Sequence, residues 1–375
     1  MTENEYLVGL LRAILHGSQA QELPEECSFE KVFSLAERHS VAGIAYYAAE
    51  TLKSPPTGKL SAAWRQVRDK ALVKDITQQA ELEAISAAFT AGGIRHIVLK
   101  GCIIKHLYPQ TDMRTMSDID MLIDPDNSAK ARDIMKNLGY SCEDFSHDHH
   151  DVYFKPPVMN VEVHRELFGE EGQEFVSAFS DPWSMCENVG GLRYEFRTDA
   201  FFAYILAHAL KHLDERGTGI RTVMDIWVCL NSEMGIDRDK ALKILEPSGK
   251  SDRARLLIEH SEVWFGVRSH TEQTLELERY ILGSGTYGTV TNMISNYMER
   301  SGKKTYFLRL LFPTFEHMKR QYPVLKKAPV LLPICWLVRL VTKPFINHRA
   351  NAEKLKMLVK SEQQHLKQTE RSRNR

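Results

Sequence analysis

The chain reads as an α+β protein, a small mixed β-sheet core set between a helical N-terminal segment and a C-terminal helical bundle. Three observations predict this. Apolar residues recur at helical spacing before residue 92 and again after residue 198, whereas period-two alternation is confined to the stretch between. Gly92-Gly93 punctuates the first change of pattern. The expected organisation is therefore a helical segment over 1–92, the sheet core over 93–197, a helical domain over 198–350 and a basic tail over 351–375.

At 375 residues the chain is long enough to fill a sizeable core. Its 49 basic and 49 acidic residues cancel, so no global field draws it to nucleic acid or to an anionic membrane. Six cysteines, Cys27, Cys102, Cys142, Cys186, Cys229 and Cys335, are dispersed without a close pair. Together with the lack of a basic-then-apolar leader at the start, this predicts reduced thiols and a cytoplasmic setting. The apolar run Val330 to Val338 is broken by Pro333 and is too short to cross a membrane. Packing onto the bundle is the simplest account of it.

Taken in order, Tyr6 to Leu15 and Phe29 to Leu52 carry helical periodicity, with Ser28 as N-cap of the second. Ser54-Pro55-Pro56-Thr57-Gly58 breaks the pattern, and a long helix is expected from Leu60 to Thr90. Ile97 to Leu99 reads as a buried strand ending at Lys100-Gly101, and a short helix follows over Cys102 to Tyr108. A glycine turn between a strand and a helix N-terminus favours phosphate, because unpaired N–H groups face outward there. A second strand is expected from Asp118 to Ile123, a helix from Pro125 to Leu138, and strands at Val152 to Phe154, from Met159 to His164 and over Leu192 to Phe196. Five helices follow: Asp199 to Leu213, Ile220 to Leu230, Asp237 to Leu245, Arg253 to Trp264 and Thr271 to Leu282.

Strand alternation puts Asp118 and Asp120 on one face and Ile119 and Met121 on the other. It likewise puts Glu162 on the polar face of its strand, beside Asn160 and His164. Three carboxylates from two strands suit Mg2+ or Mn2+, hard cations that take oxygen ligands and keep positions open for phosphate. Two such ions clamp the attacking and leaving oxygens of an in-line displacement. Lys100 and Arg114 are the cations expected to meet phosphate oxygens.

The motifs LKG at Leu99 to Gly101, R-x-x-S-D-I-D at Arg114 to Asp120 and VEVH at Val161 to His164 resemble the bacterial family of uncharacterised nucleotidyltransferases, within the polymerase-beta-type superfamily. The resemblance is strongest from Ala91 to Leu167. It implies transfer of a nucleoside monophosphate from a nucleoside triphosphate such as ATP, with pyrophosphate release, on Asp118, Asp120 and Glu162 as catalytic and metal-binding acids. It also implies a nucleotide-binding segment of Lys100, Gly101, Arg114 and Ser117. The superfamily's usual Gly-Gly or Gly-Ser turn is here Lys100-Gly101. The resemblance leaves the acceptor open among small molecules, proteins and RNA.

His164, His208, His212 and Asp225 are candidates for contacting substrate or orienting the acids. His208 and His212 share a helix face at metal-ligand spacing, but without an intervening H-E-x-x-H they read first as packing partners. Asp225 is expected to pair with Arg221 or with that histidine face. The cluster His147, His149, His150 with Asp148 and Asp151 reads as a solvated loop, and the glycine-rich 283–289 stretch, which follows a helix, as a plain connection. Two other function classes compete with the transferase: a nucleotide- or partner-binding module with a degenerate site, and a phosphohydrolase built on His208, His212 and Asp225.

Overall fold

Among the described residues, seven strands make one mixed sheet. In chain order they are β1 (His96–Val98), β2 (Ile119–Ile123), β3 (Ser141–Asp144), β4 (His150–Lys155), β5 (Met159–His164), β6 (Cys186–Gly190) and β7 (Arg193–Phe196). Across the sheet the order is β3-β4-β5-β2-β1-β7-β6. β2 is parallel to β5 and β1 to β7, and the remaining neighbours are antiparallel. The α+β expectation therefore holds. This computed structural model describes residues 1–346 apart from 145–148, 170, 287, 290–291, 294–295 and 297–310.

The helices that matter for the site are α1 (Glu3–Leu15), α2 (Phe29–Arg38), α3 (Ala42–Ala49), α4 (Gly58–Ala91), α5 (Gly101–Ile104), α6 (Ser128–Asn137), α7 (Gln173–Val176), α8 (Thr198–Glu215), α9 (Ile220–Leu230), α10 (Arg238–Ile244), α11 (Ser251–Phe265) and α12 (Glu272–Ser284). Period-two alternation divides the sheet's two faces between two cores. Ile119, Met121 and Ile123 of β2, with Val161 and Val163 of β5, pack against Leu82, Ile85 and Phe89 of α4 and Met135 of α6. On the opposite face Leu122, Ile97 and Leu99 join a larger core that includes residues of α1, α3, α8, α9, α11 and α12. The sequence boundaries at 92 and 198 thus mark changes of secondary structure, and a single core runs across both.

The chain divides into two compact units, Met1–Leu213 with Thr218–Tyr287, and Asp214–Gly217 with Gly288–Arg375. Within the second, α13 (Phe315–Gln321) and α14 (Leu332–Ile346) enclose Met318, Leu325 and Cys335, while Val330, Ile334 and Leu337 are exposed. The basic tail lies outside the described residues. No helix among those described is long and apolar enough to cross a membrane.

Several local expectations need correction. The single helix over Phe29 to Leu52 is two, α2 and α3, because the chain reverses at Ser40, whose φ is +54°. That kink turns both apolar stripes onto one core: α3, AGIAYYAA, is buried along almost its whole length. Ser28 does cap α2, accepting from the Lys31 amide at 3.3 Å. The helix after Gly101 is a single turn continued by a 3-10 turn over Lys105–Leu107. β3 and β6 carry no usable alternation in sequence. Both lie at sheet edges, and β6 is exposed along most of its length, so packing does not impose a pattern on it.

Candidate active site

The register of the two central parallel strands builds the site. Asp120 on β2 pairs with Glu162 on β5, and Asp118 stands one alternation before Asp120 on the same face. His164, two residues beyond Glu162, follows it on that face and brings Nε2 to 3.0 Å from Asp120 Oδ1 and 3.7 Å from Glu162 Oε2. Ligand atoms of Asp120, Glu162 and His164 all lie within 4.8 Å of one another. The acids crowd each other electrically. Burial and the Asp120 charge raise the Asp118 carboxyl above its ordinary range, and burial with Asp120 and Asp118 pushes Glu162 up to about 7. Burial alone would raise Asp120 too, but Lys100 and His164 hold it well below the usual carboxylate range.

Lys100 closes the site from the other side. Its Nζ is 3.1 Å from Asp120 Oδ2 and 3.0 Å from His208 Nε2 on α8. The residue has φ +38°, a backbone conformation that favours glycine and costs a lysine about 1–3 kcal/mol. A turn shape that suits small residues is thus taken here by a buried cation. The residue expected to meet phosphate rests on a carboxylate expected to bind metal. Gly101, next in the chain, keeps the turn tight: an added Cβ would land on Arg114 Nη1 and lie 2.5 Å from Met116 Sδ.

Arg114 and Asp225 take a different place from the one expected. The guanidinium, expected to face phosphate, donates from Nε and Nη2 to Asp225 at 3.2 and 2.9 Å, and Tyr108 donates to the same carboxylate at 2.8 Å. Both partners of the ion pair are about nine-tenths buried, where each needs the other's charge. Asp225 accordingly belongs to neither Arg221 nor the histidine face, and Arg221 donates to the Thr115 carbonyl at 3.0 Å. This network braces the 113–117 loop that leads into Asp118. Ser117 contributes its carbonyl, which accepts from Lys74 of α4 at 3.1 Å.

His208 and His212 sit 3.2 Å apart through their Nε2 atoms. Burial and the Lys100 ammonium hold His208 neutral, so it accepts from Lys100. Since Asp225 is engaged elsewhere, these three residues do not form the hydrolase centre weighed from sequence. Two contributors escaped the sequence reading: Lys74, and Tyr204, which precedes His208 by one helical turn with ring centroids 6.3 Å apart. The spacing Tyr204, His208, His212 was the available signal for the second. His149 and His150 are half-buried rather than solvated; His150 lies on β4 opposite His164. His147 lies outside the described residues.

The donor set fits Mg2+ or Mn2+. Carboxylates held in register on a rigid sheet, with two of them pushed toward protonation by burial and by mutual repulsion, are relieved by a divalent cation. The sheet thus carries an Asp-x-Asp pair behind a glycine turn, with a third acid on the parallel neighbour. The family model described as uncharacterised nucleotidyltransferase matches residues 25–266, and the chain belongs to that family. Among solved structures it is similar to the antibiotic-resistance factor ANT(2″)-Ia, at 14% identity and a TM-score of 0.36, over 48% of this chain and 96% of that one. No curated protein matches the chain.

Proposed function

We propose that this protein moves a nucleoside monophosphate from a nucleoside triphosphate to an acceptor hydroxyl or phosphate, by in-line displacement at the α-phosphorus with loss of pyrophosphate. The observation that carries this is the register pairing of Asp120 with Glu162, with Asp118 on the same face. These three acids would hold Mg2+ or Mn2+, which when bound neutralise phosphate charge and activate the attacking oxygen. Glu162, with its carboxyl near 7, is matched to accept the acceptor's proton as the new oxygen–phosphorus bond forms and the bond to pyrophosphate breaks. Lys100 supplies fixed positive charge beside Asp120, and His208 holds that ammonium in place. All six cysteines are free thiols, which fits the cytoplasmic setting expected from sequence.

The test is calorimetry with each of the four nucleoside triphosphates in the presence and absence of Mg2+, followed by a pyrophosphate-release assay. Metal-dependent binding is expected, and Asp118→Asn or Asp120→Asn should lower turnover on the order of 10²–10³-fold, the scale of losing one strong electrostatic stabiliser. Equal nucleotide binding without metal and in both variants would remove the catalytic reading. The Lys100–Asp120 contact favours one alternative, a nucleotide-binding module in which the ammonium stands permanently in the cation's place. It predicts tight binding without Mg2+ and no pyrophosphate.

A further inference from the structure

We propose that His149, His150 and His164 form a transition-metal site for Zn2+ or a similar nitrogen-seeking ion, beside the carboxylate site and separate from it. Pairing of β4 with β5 sets His150 directly across from His164. His149 precedes β4, and its carbonyl is pinned by the amides of Arg165 at 2.8 Å and Glu166 at 3.4 Å. The rings converge, with centroids 4.5, 5.0 and 5.5 Å apart, and one ligand atom from each lies within 4.8 Å of the other two. His149 Nε2 and His150 Nδ1 are 3.3 Å apart. That is roughly the edge of a tetrahedron whose nitrogens stand about 2.0–2.1 Å from a central zinc.

His164 supplies the second observation. It is only 4% exposed, and its Nδ1 is a buried polar atom with no hydrogen-bond partner among the described residues. Its other nitrogen meets Asp120 at 3.0 Å. A carboxylate on one ring nitrogen and a lone pair on the other is the arrangement that orients metal-bound imidazoles. An ion on Nδ1 would satisfy the orphaned atom. Gly169 admits the third ring: an added Cβ would lie 3.0 Å from His149 Cγ and closer still to Nδ1. Imidazole nitrogen prefers zinc and its late first-row neighbours, whereas Mg2+ prefers oxygen, so the two adjoining donor sets select different ions.

The site does not depend on the proposed reaction, and its test does not read activity. Metal-free full-length protein is titrated with Co2+ and followed by visible absorption, and the Zn2+-loaded protein is studied by X-ray absorption. One Co2+ per chain with ligand-field bands is expected, displaced by Zn2+ and not by millimolar Mg2+, and the zinc spectrum should show imidazole scattering. His149→Ala with His150→Ala should weaken Co2+ at least about 10-fold, and Gly169→Ala should weaken it too, while Asp118→Asn leaves it unchanged. Unchanged affinity in the histidine variant, displacement by Mg2+, loss of binding in Asp118→Asn, or a zinc spectrum without imidazole would each overturn the proposal. If the histidine variant does not fold, the wild-type X-ray spectrum alone decides.

Discussion

Lys100 concentrates most of what is unusual in this site into one residue. It holds a backbone conformation suited to glycine, and its ammonium is 3.1 Å from a carboxylate that is 7% exposed. Removing the ammonium leaves Asp120 in the interior with His164 as its remaining partner, so Lys100→Met should cost about 3–5 kcal/mol in urea denaturation, the scale of breaking a buried pair. Millimolar Mg2+ should recover part of that loss by supplying the missing charge. A loss below about 1 kcal/mol would mean that Asp120 is better solvated than its burial indicates. The shared face of Asp118, Asp120 and Glu162 was legible in sequence because strand alternation alone puts them on polar faces. The partners of Lys100 were not, since His208 lies 108 residues away and only packing of α8 on the sheet brings it there.

At the scale of elements, the loop from Gly101 to Asp118 is held by side chains more than by backbone pairing. Arg114 is clamped by Asp225 and Tyr108, Ser117 by Lys74, and Thr115 by Arg221. Gly101→Ala drives a methyl group into Arg114 and Met116 at the centre of this bracing. The expected outcome is a destabilisation of about 1–3 kcal/mol from overpacking, with weaker nucleotide binding. Thermal unfolding and calorimetry of the variant check both, and unchanged values in each would show that the loop yields freely. Strands with a buried face were readable from sequence for the reason this loop was not: alternation is local, whereas an Arg–Asp pair 111 residues apart leaves no local trace. The edge strands β3 and β6 escaped because neither is constrained on both sides.

For the whole molecule, buried neutral histidines set the response to acid. Burial, with Arg38 nearby, lowers His39 to about 4, and burial, with His270 nearby, lowers His260 to about 3; both side chains are fully enclosed. An unfolded histidine titrates near 6.5, so below that pH the unfolded chain binds protons that the folded chain refuses. Stability should therefore fall as pH drops from about 6.5 toward 4. Glu162 acts with the opposite sign: its folded carboxyl is raised to about 7, so its contribution is present below the unfolded value near 4.5 and lost as pH rises through 7. It is partly exposed and offsets only part of the histidine effect. His260→Phe keeps the packing against Trp264, whose ring centroid is 4.3 Å away, and should retain about 3 kcal/mol more of its neutral-pH stability at pH 4.5 than the wild type does. Parallel urea curves for the two proteins at pH 7 and 4.5 would contradict this.

The pairing of Asp120 with Glu162 also determines where the chain can change length. One residue inserted between Met159 and Glu162 would turn Glu162 into the apolar core and expose Val161 and Val163, each a loss of about 1.5–3 kcal/mol. The hairpin tip between β4 and β5 is different: Val158 there is 46% exposed, and β5 can keep its register whatever loop precedes it. Relatives of this chain should therefore vary in length at 156–158 and hold a constant count from Met159 to His164, and a tag or fluorophore is best carried at that tip.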